Sequence, residues 1–366
     1  MTGSIISAIG TSSPENRFSQ QAILSFMINA HKLDSTDAKR LEKLYQVSGI
    51  DYRHSVLPDF ALQQGNYTFF GNEENLEPFP KTSQRSTLYE ATAKELAVKA
   101  ITSAFKNTAL TYQSITHLIT VSCTGMYAPG LDIDIIERLG FNKNIERTGV
   151  NFMGCYGAFT ALKAADYICR ADKEAKVLLV DVELCTLHFQ RESTLENWVA
   201  NSLFADGAAA VIIESEEGRS TDKGFRLKTF FNTLATEAKD GMSWKIGDTG
   251  FQMHLSSQIA KNIGKKIKAV TASLIEKAGL ERAEISHLAI HPGGRRILEV
   301  CEELLELPEE ALLHSYDVLK QHGNMSSVTI LFVLQKLMAD IEPGEKVMSF
   351  AFGPGLTFES MILETV

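Results

Sequence analysis

One order of segments occurs twice along this chain, and that repetition limits its fold more than any other feature. In the first half a helical pattern opens near Ser86-Thr87, a plausible cap, and runs to about Lys106. The apolar strand Ser114-Ile115-Thr116-His117-Leu118-Ile119-Thr120-Val121 follows and ends at Cys123-Thr124-Gly125. In the second half the helical pattern runs from about Leu255 to Gly279. The strand there is Glu284-Ile285-Ser286-His287-Leu288-Ala289-Ile290, and its loop is His291-Pro292-Gly293-Gly294. The echo continues. A small, apolar segment from Cys155 to Cys169 precedes the β-rich run Lys176 to Val182, and a buried helix from Ser326 to Met338 precedes Glu345-Lys346-Val347-Met348-Ser349-Phe350. Parallel strands joined by helices give α/β layers with both sheet faces covered, and two such units can pack about a pseudo-twofold axis. The predicted halves are 1–215 and 216–366. Sites in such sheets form at the carboxyl ends of strands and the amino ends of helices, so the loops hold the chemistry.

A chain of 366 residues suffices for two domains or one duplicated domain. Its 44% hydrophobic and 22% charged residues are an ordinary globular balance, and its formal net charge of −9 argues against nucleic acid as the main partner. The start, Met1-Thr2-Gly3-Ser4-Ile5-Ile6, has no basic stretch followed by an apolar run, so no secretory signal is predicted. No apolar run approaches the roughly 20 residues that span a bilayer. These features predict a cytoplasmic protein. Cys123, Cys155, Cys169, Cys185 and Cys301 form no Cys-x-x-Cys pair and no zinc-spaced Cys/His pair, which predicts free thiols and no metal site.

Three loops carry candidate chemistry. Gly154-Cys155-Tyr156-Gly157 follows a short strand or turn, Gly149 to Met153, and precedes a helical segment. Cys155 is thus expected near a helix N-terminus, where unpaired N–H groups and the dipole favour a thiolate. Set against this is the ordinary role of cysteine as a small buried apolar residue. His291 ends an apolar strand and enters a Pro-Gly-Gly turn. In His322-Gly323-Asn324-Met325-Ser326-Ser327, Asn324 lies just before a helix that Ser326 or Ser327 could cap; the bland reading makes Asn324 a capping residue too. Together the three supply distinct functions. Cys155 could attack a thioester and hold the acyl group. His291 could pair with the thiolate, and His291 and Asn324 could donate to the enolate oxygen formed when a malonyl group loses carbon dioxide. Decarboxylation makes the carbon nucleophile without a strong base, so no metal or redox cofactor is expected.

In this order the three motifs resemble the type III polyketide synthases, the chalcone synthase-like condensing enzymes. The resemblance runs from Ala8-Ile9-Gly10-Thr11 to Phe352-Gly353-Pro354-Gly355-Leu356-Thr357 and includes Ala128-Pro129-Gly130 and Leu203-Phe204-Ala205-Asp206-Gly207-Ala208-Ala209-Ala210. It implies an α/β thiolase fold of duplicated αβαβα layered halves, a homodimer, and one site that loads a starter, extends it with malonyl-CoA and cyclises it. Cys155, His291 and Asn324 match the family's catalytic residues, and Phe204 a gatekeeping aromatic between CoA tunnel and cavity. The resemblance also places Cys123, Ser326, Phe352 and Pro354 around the substrate.

Departures from the family pattern bear on specificity. Met253 stands where a second gatekeeping phenylalanine is usual, and Trp244 where plant enzymes carry a small cavity residue. Cys185, Leu187 and His188 replace threonine and valine positions of the cavity. Ala128 replaces a methionine that reaches into the partner's site, and Ala351 opens the usual Gly-Phe-Gly-Pro-Gly loop. A lysine-rich CoA-binding stretch has become Ser48-Gly49-Ile50-Asp51-Tyr52-Arg53, leaving Lys43, Arg53, Arg295 and Arg296, with Gly293 and Gly294, as candidates to hold CoA. Weaker gating at Met253 favours an aliphatic, fatty acyl-CoA starter and an alkylpyrone or alkylresorcinol product. Alternatives are a malonyl-primed enzyme making a small polyhydroxy-aromatic product, a fatty-acid-initiating ketoacyl synthase, whose histidine motif usually continues Gln-Ala-Asn, and a non-catalytic acyl-CoA binding scaffold.

Overall fold

The structure is a computed structural model that describes residues 3–221 and 223–366. Along the first half it places β1 (Ser4–Ser12), β2 (Asn16–Ser19), α1 (Gln20–Ala30), α2 (Ser35–Val47), β3 (Tyr52–Ser55), α3 (Thr82–Phe105), β4 (His117–Ser122), α4 (Leu131–Leu139), β5 (Glu146–Asn151), α5 (Gly157–Ala171), β6 (Lys176–Leu184), α6 (Leu195–Leu203) and β7 (Asp206–Ser215). The second half places β8 (Phe225–Leu234), β9 (Met242–Gly247), β10 (Gly250–Leu255), α7 (Ile259–Ala278), β11 (His287–Ile290), α8 (Arg295–Leu305), α9 (Leu313–His322), α10 (Val328–Asp340), β12 (Lys346–Gly353) and β13 (Thr357–Thr365).

The duplication read from the sequence is visible in the sheet. Its strand order is β11-β12-β13-β8-β1-β7-β6-β4-β5 among the described residues. Read outward from the centre, β1-β7-β6-β4 and β8-β13-β12-β11 follow the same plan. In each arm the outermost of these pairs is parallel and the rest are antiparallel. The arms meet where β1 pairs antiparallel with β8 at Ile5↔Arg226 and Ile6↔Phe225. The sheet is therefore mixed, whereas the repeat alone suggested parallel strands. Strand β13 returns from β12 through the short turn Pro354–Leu356, and β7 returns from β6 after the segment that carries α6, and both run antiparallel to the strand before them.

Side-chain alternation sorts the strands between layers. Leu178, Val180, Val182 and Leu184 of β6 pack outward with α3, while Val177 and Leu179 pack inward with α5. In the other arm Met348, Phe350 and Phe352 of β12 pack outward with α7, while Val347 and Ala351 pack inward with α10. Helices α5 and α10 share one central cluster, and α3 and α7 flank the outside, giving α-β-α-β-α layers. Both faces are covered, so the strands read as continuous apolar runs. Truncating an inward residue such as Leu179 to Ala costs about 2–5 kcal/mol. The approach of α3 depends on a stripe of Ala93, Ala97, Ala100 and Ala104, all buried. A Cβ at Gly10 of β1 would lie 2.2 Å from the Ala104 nitrogen, so Gly10→Val would pry this layer open.

Three expected helix starts move. Leu255 ends strand β10, and α7 begins at Ile259. Helix α3 begins at Thr82, with Lys81 as its N-cap, so Thr87 is interior and its hydroxyl donates back to the Ser83 carbonyl at 3.0 Å. Ser327 flanks α10 without capping it by its side chain, because its Oγ turns to Asp181 and Glu183 at 2.9 Å each. The turn before α10 is closed instead by Thr329, whose Oγ1 accepts the Met325 N–H and donates to the Ser326 carbonyl.

Candidate active site

Four corners of the duplicated scaffold converge. Cys123 and His291 are the residues directly after the equivalent strands β4 and β11, and Cys155 and Asn324 lie just before the equivalent helices α5 and α10. Cys155 sits in a single 3₁₀ turn, Gly154–Tyr156, that leads into α5. Gly154 has φ of +74°, and a Cβ there would stand 2.3 Å from Pro354 Cδ. Only glycine satisfies both demands. Its N–H donates to Cys123 Sγ at 2.8 Å, which ties the turn to the end of β4. Cys155 is buried, and burial pushes its thiol up to about 12, opposed by hydrogen bonds from Ser326 and Asn324. The helix position expected from sequence is present, but desolvation outweighs it in the resting site.

His291 is anchored by its backbone, whose N–H donates to the Phe350 carbonyl at 2.8 Å. Its ring is buried and neither ring nitrogen has a protein partner. Burial alone lowers its basicity to about 3. A buried imidazole with two unused nitrogens is costly unless something else uses them. Asn324 is fixed at both ends: its Nδ2 donates to the Gly293 carbonyl at 3.1 Å and its Oδ1 accepts the Ser326 N–H at 2.9 Å. The second Nδ2 hydrogen stays available. Main-chain bonds tie Asn324 to Leu203 and Ala205 at 2.9 Å each, so Phe204 is carried beside it.

Cys155, His291 and Asn324 line one channel of about 670 Å³ together with Phe204, Met253, Phe352, Gly293, Gly294 and Arg296. Leu203, Met242, Leu255 and Ile259 supply much of its wall; sequence reading did not single them out, because apolar residues on core elements give no separate signal. Beyond Cys155 lies a chamber of only about 20 Å³, lined by Cys123, Cys185, Trp244, Met253, Ser326 and Pro354. That is room for about one water.

Comparison with known proteins gives the family and the fold. Residues 2–217 match the family model for chalcone and stilbene synthases, N-terminal domain, and residues 226–366 match the corresponding C-terminal domain. The chain belongs to the chalcone and stilbene synthase family. Curated members that resemble it include "Alpha-pyrone synthesis polyketide synthase-like Pks18" of Mycobacterium tuberculosis, 29% identical over all of this chain and 92% of that protein. Another is "1,3,6,8-tetrahydroxynaphthalene synthase" of Streptomyces peucetius, 28% identical over 99% of this chain and 93% of that protein. "Probable polyketide synthase 1" of Dictyostelium discoideum is 28% identical over 99% of this chain, which spans 11% of that protein's length. Among solved structures, the C-terminal type III polyketide synthase domain of Steely1 from Dictyostelium superposes with a TM-score of 0.92 at 28% identity, over 100% of this chain and 99% of that one. PKS-I of the brown alga Ectocarpus siliculosus superposes at 0.93 with 27% identity, with the same coverage. The fold is thus that of the type III polyketide synthases, which are CoA-dependent condensing acyltransferases.

Within this family fold, several expected residues take other positions. Arg53 is buried, 3% exposed, and donates to Gln20 Oε1 at 2.9 Å and to the Asn201 and Phe204 carbonyls at 2.8 Å. It braces the backbone that carries Phe204 and cannot reach solvent phosphates. Leu187 is fully buried in the outer core rather than facing the chamber; the one-turn helix Cys185–His188 points Cys185 to one side and Leu187 to the other. Arg85 holds that turn by donating to the Leu187 and Phe189 carbonyls. Lys43 is exposed on α2 and lines none of these cavities. Arg295 and Arg296 both reach Glu299, at 2.9 and 3.1 Å, and of the two only Arg296 borders the channel.

His188 lines a neighbouring cavity of about 30 Å³ with Cys185, Trp244 and Met253. Its Nε2 donates to the Thr124 carbonyl at 2.7 Å and its Nδ1 accepts the Phe251 N–H at 2.9 Å, which makes it a satisfied buried histidine. Burial lowers it to about 3. Trp244 and Met253 are cross-strand partners in the β9–β10 hairpin. The Trp244 indole N–H donates to the Cys123 carbonyl at 2.7 Å, so the ring is fixed across the chamber.

Proposed function

We propose that this protein loads a small acyl group from its CoA thioester onto Cys155 and extends it with malonyl-CoA to a short polyketide that closes as a pyrone. The observation that supports the chemistry is the unpartnered ring of His291, set with Asn324 and Cys155 on one channel. Separately, thiolate and imidazolium are each penalised by burial. Moving the thiol proton to His291 creates both at once, and their attraction offsets the penalty. The thiolate attacks the thioester carbonyl and CoA leaves as its thiol with the transferred proton. Malonyl-CoA then enters, loses carbon dioxide, and its enolate oxygen accepts from the His291 ring N–H and Asn324 Nδ2. The enolate carbon attacks the Cys155 thioester, and the Cys155 thiolate is released. No metal or redox group is required by these steps.

The starter follows from space. While a malonyl-CoA arm occupies the channel, the acyl group on Cys155 has only the chamber of about 20 Å³ behind it. A long alkyl chain, the expectation drawn from Met253, would have to displace Trp244 from its hydrogen bond. A short or malonyl-derived starter asks less displacement of the same walls. The printed name of the mycobacterial relative supports pyrone closure. We further infer a homodimer: β5 is an edge strand, and exposed Met126 and Met153 lie beside it. The cytoplasm is the compartment that supplies both CoA thioesters, and no described helix is long and apolar enough to cross a membrane.

The test is incubation of purified enzyme with malonyl-CoA and acyl-CoA starters of increasing length, with products read by mass spectrometry beside Trp244→Gly. Cyclised triketides from short starters are expected, with longer starters accepted only by the variant. Preference of the wild type for long chains would overturn the short-starter reading. Single-condensation products formed only on a carrier protein would replace the synthase reading with the initiating one.

A further inference from the structure

Beneath Cys155, on the inward face of β6, two acidic side chains are fully buried without a cation. Asp181 and Glu183 each have 0% exposure, and neither forms an ion pair among the described residues. Ser327, flanking the N-terminus of α10, places its Oγ 2.9 Å from Asp181 Oδ1 and 2.9 Å from Glu183 Oε1. One hydroxyl has one proton to donate. The remaining oxygens differ. Glu183 Oε2 accepts the Cys123 N–H at 3.0 Å and the Thr124 hydroxyl at 2.7 Å, whereas Asp181 Oδ2 is buried with no partner.

We propose that Asp181 and Glu183 share a single proton through Ser327, with Asp181 the neutral acid and Glu183 the carboxylate, and that this pair is a positioning device for the loop that carries the nucleophile. Asp181 Oδ1–H then donates to Ser327 Oγ, and Ser327 Oγ–H donates to Glu183 Oε1. The proton sits on Asp181 because Glu183 alone has donors to stabilise an anion. Every polar hydrogen in the cluster is used. With both ionised, two anions would face one hydroxyl in a buried site. Burial raises both carboxyls, and Glu183 raises Asp181 further. The titratable groups packed around the pair are Tyr89, Cys123, Cys155 and Cys185, each held in its neutral form by burial.

The arrangement has a direct consequence for Cys155. The Glu183 carboxylate fixes Cys123 and Thr124, and Cys123 Sγ holds the Gly154 N–H. Its charge also raises the Cys155 thiol. A second anion at Asp181 would raise the thiol further, and the shared proton prevents this.

The test needs no turnover, so its failure is separable from failure of the synthase reading. Infrared spectra of the wild type at pH 7.5 should show the carbonyl stretch of a buried protonated carboxylic acid, lost in Asp181→Asn and kept in Glu183→Gln. The pH midpoint of Cys155 alkylation by iodoacetamide should fall by about one unit in Glu183→Gln, which removes a charge, and stay in place in Asp181→Asn. Absence of the acid band in the wild type overturns the proposal, as does an equal fall of the midpoint in both variants. The wild-type spectrum keeps the test decisive even where a variant does not fold.

Discussion

The two arms of the sheet have the same strand order, yet their corners carry opposite chemistry. The first half places sulfur after β4 and before α5, at Cys123 and Cys155. The second half places nitrogen donors after β11 and before α10, at His291 and Asn324. Burial pushes the two kinds of group in opposite directions, the thiols up and the imidazole down. A duplicated scaffold can therefore hold a nucleophile in one half and its polarising groups in the other. Neither half needs to be a compromise between the two tasks.

Removing the first half's part should have the largest effect. Cys155→Ala should lower polyketide formation more than about 10⁴-fold while malonyl-CoA decarboxylation continues, because His291 and Asn324 remain; carbon dioxide release measured beside product checks both. Loss of decarboxylation in that variant would break the division of labour. Next, Asn324→Ala should cost about 10²–10³ in kcat by removing one oxyanion donor, with Cys155 alkylation retained. Equal loss of alkylation would show that Asn324 serves the thiol more than the substrate.

Stability should also report the buried imidazoles of both halves. His291 and His188 are held near 3 and His322 near 4 by burial, below the ordinary 6.5. The unfolded chain binds protons that the folded one refuses between those values. Stability should thus fall as pH drops from about 6.5 towards 4, by about 1.4 kcal/mol per pH unit for each such histidine. His291→Asn should flatten the slope by one histidine's share in urea titrations, and an unchanged slope would mean that its ring is charged in the fold. The smallest effect is expected from Cys123→Ala, which leaves the Gly154 N–H without its acceptor. It should cost about 1 kcal/mol of stability and slow Cys155 alkylation only modestly.

The parts of the fold legible in the sequence were those written in apolar runs and loop punctuation. The strands ending at His291 and before Cys123, and the helix closed by Gly279 with φ of +65°, stand close to where the pattern put them. Cys155, His291 and Asn324 were legible because each sits at the junction of an apolar element with a glycine-rich turn. Other features carry no such mark. Arg53 reads as a surface cation in sequence, and only the fold shows its guanidinium turned onto the Phe204 and Asn201 carbonyls. Leu187 and Cys185 are two residues apart, and the direction each faces depends on a one-turn helix that no periodicity announces. Asp181 and Glu183 interrupt an apolar strand, and their partner Ser327 is 146 and 144 residues away.

The register of β1 sets a timetable for synthesis. Ser4 pairs with Ser215, so a strand in the middle of the sheet waits for about 210 further residues before its partner is made. At translation speeds of about 5–20 residues per second, that interval lasts some ten to forty seconds. Throughout it, an apolar strand with both edges open is exposed to its neighbours on the polysome. The centre of the finished sheet is thus unpaired through much of its own synthesis.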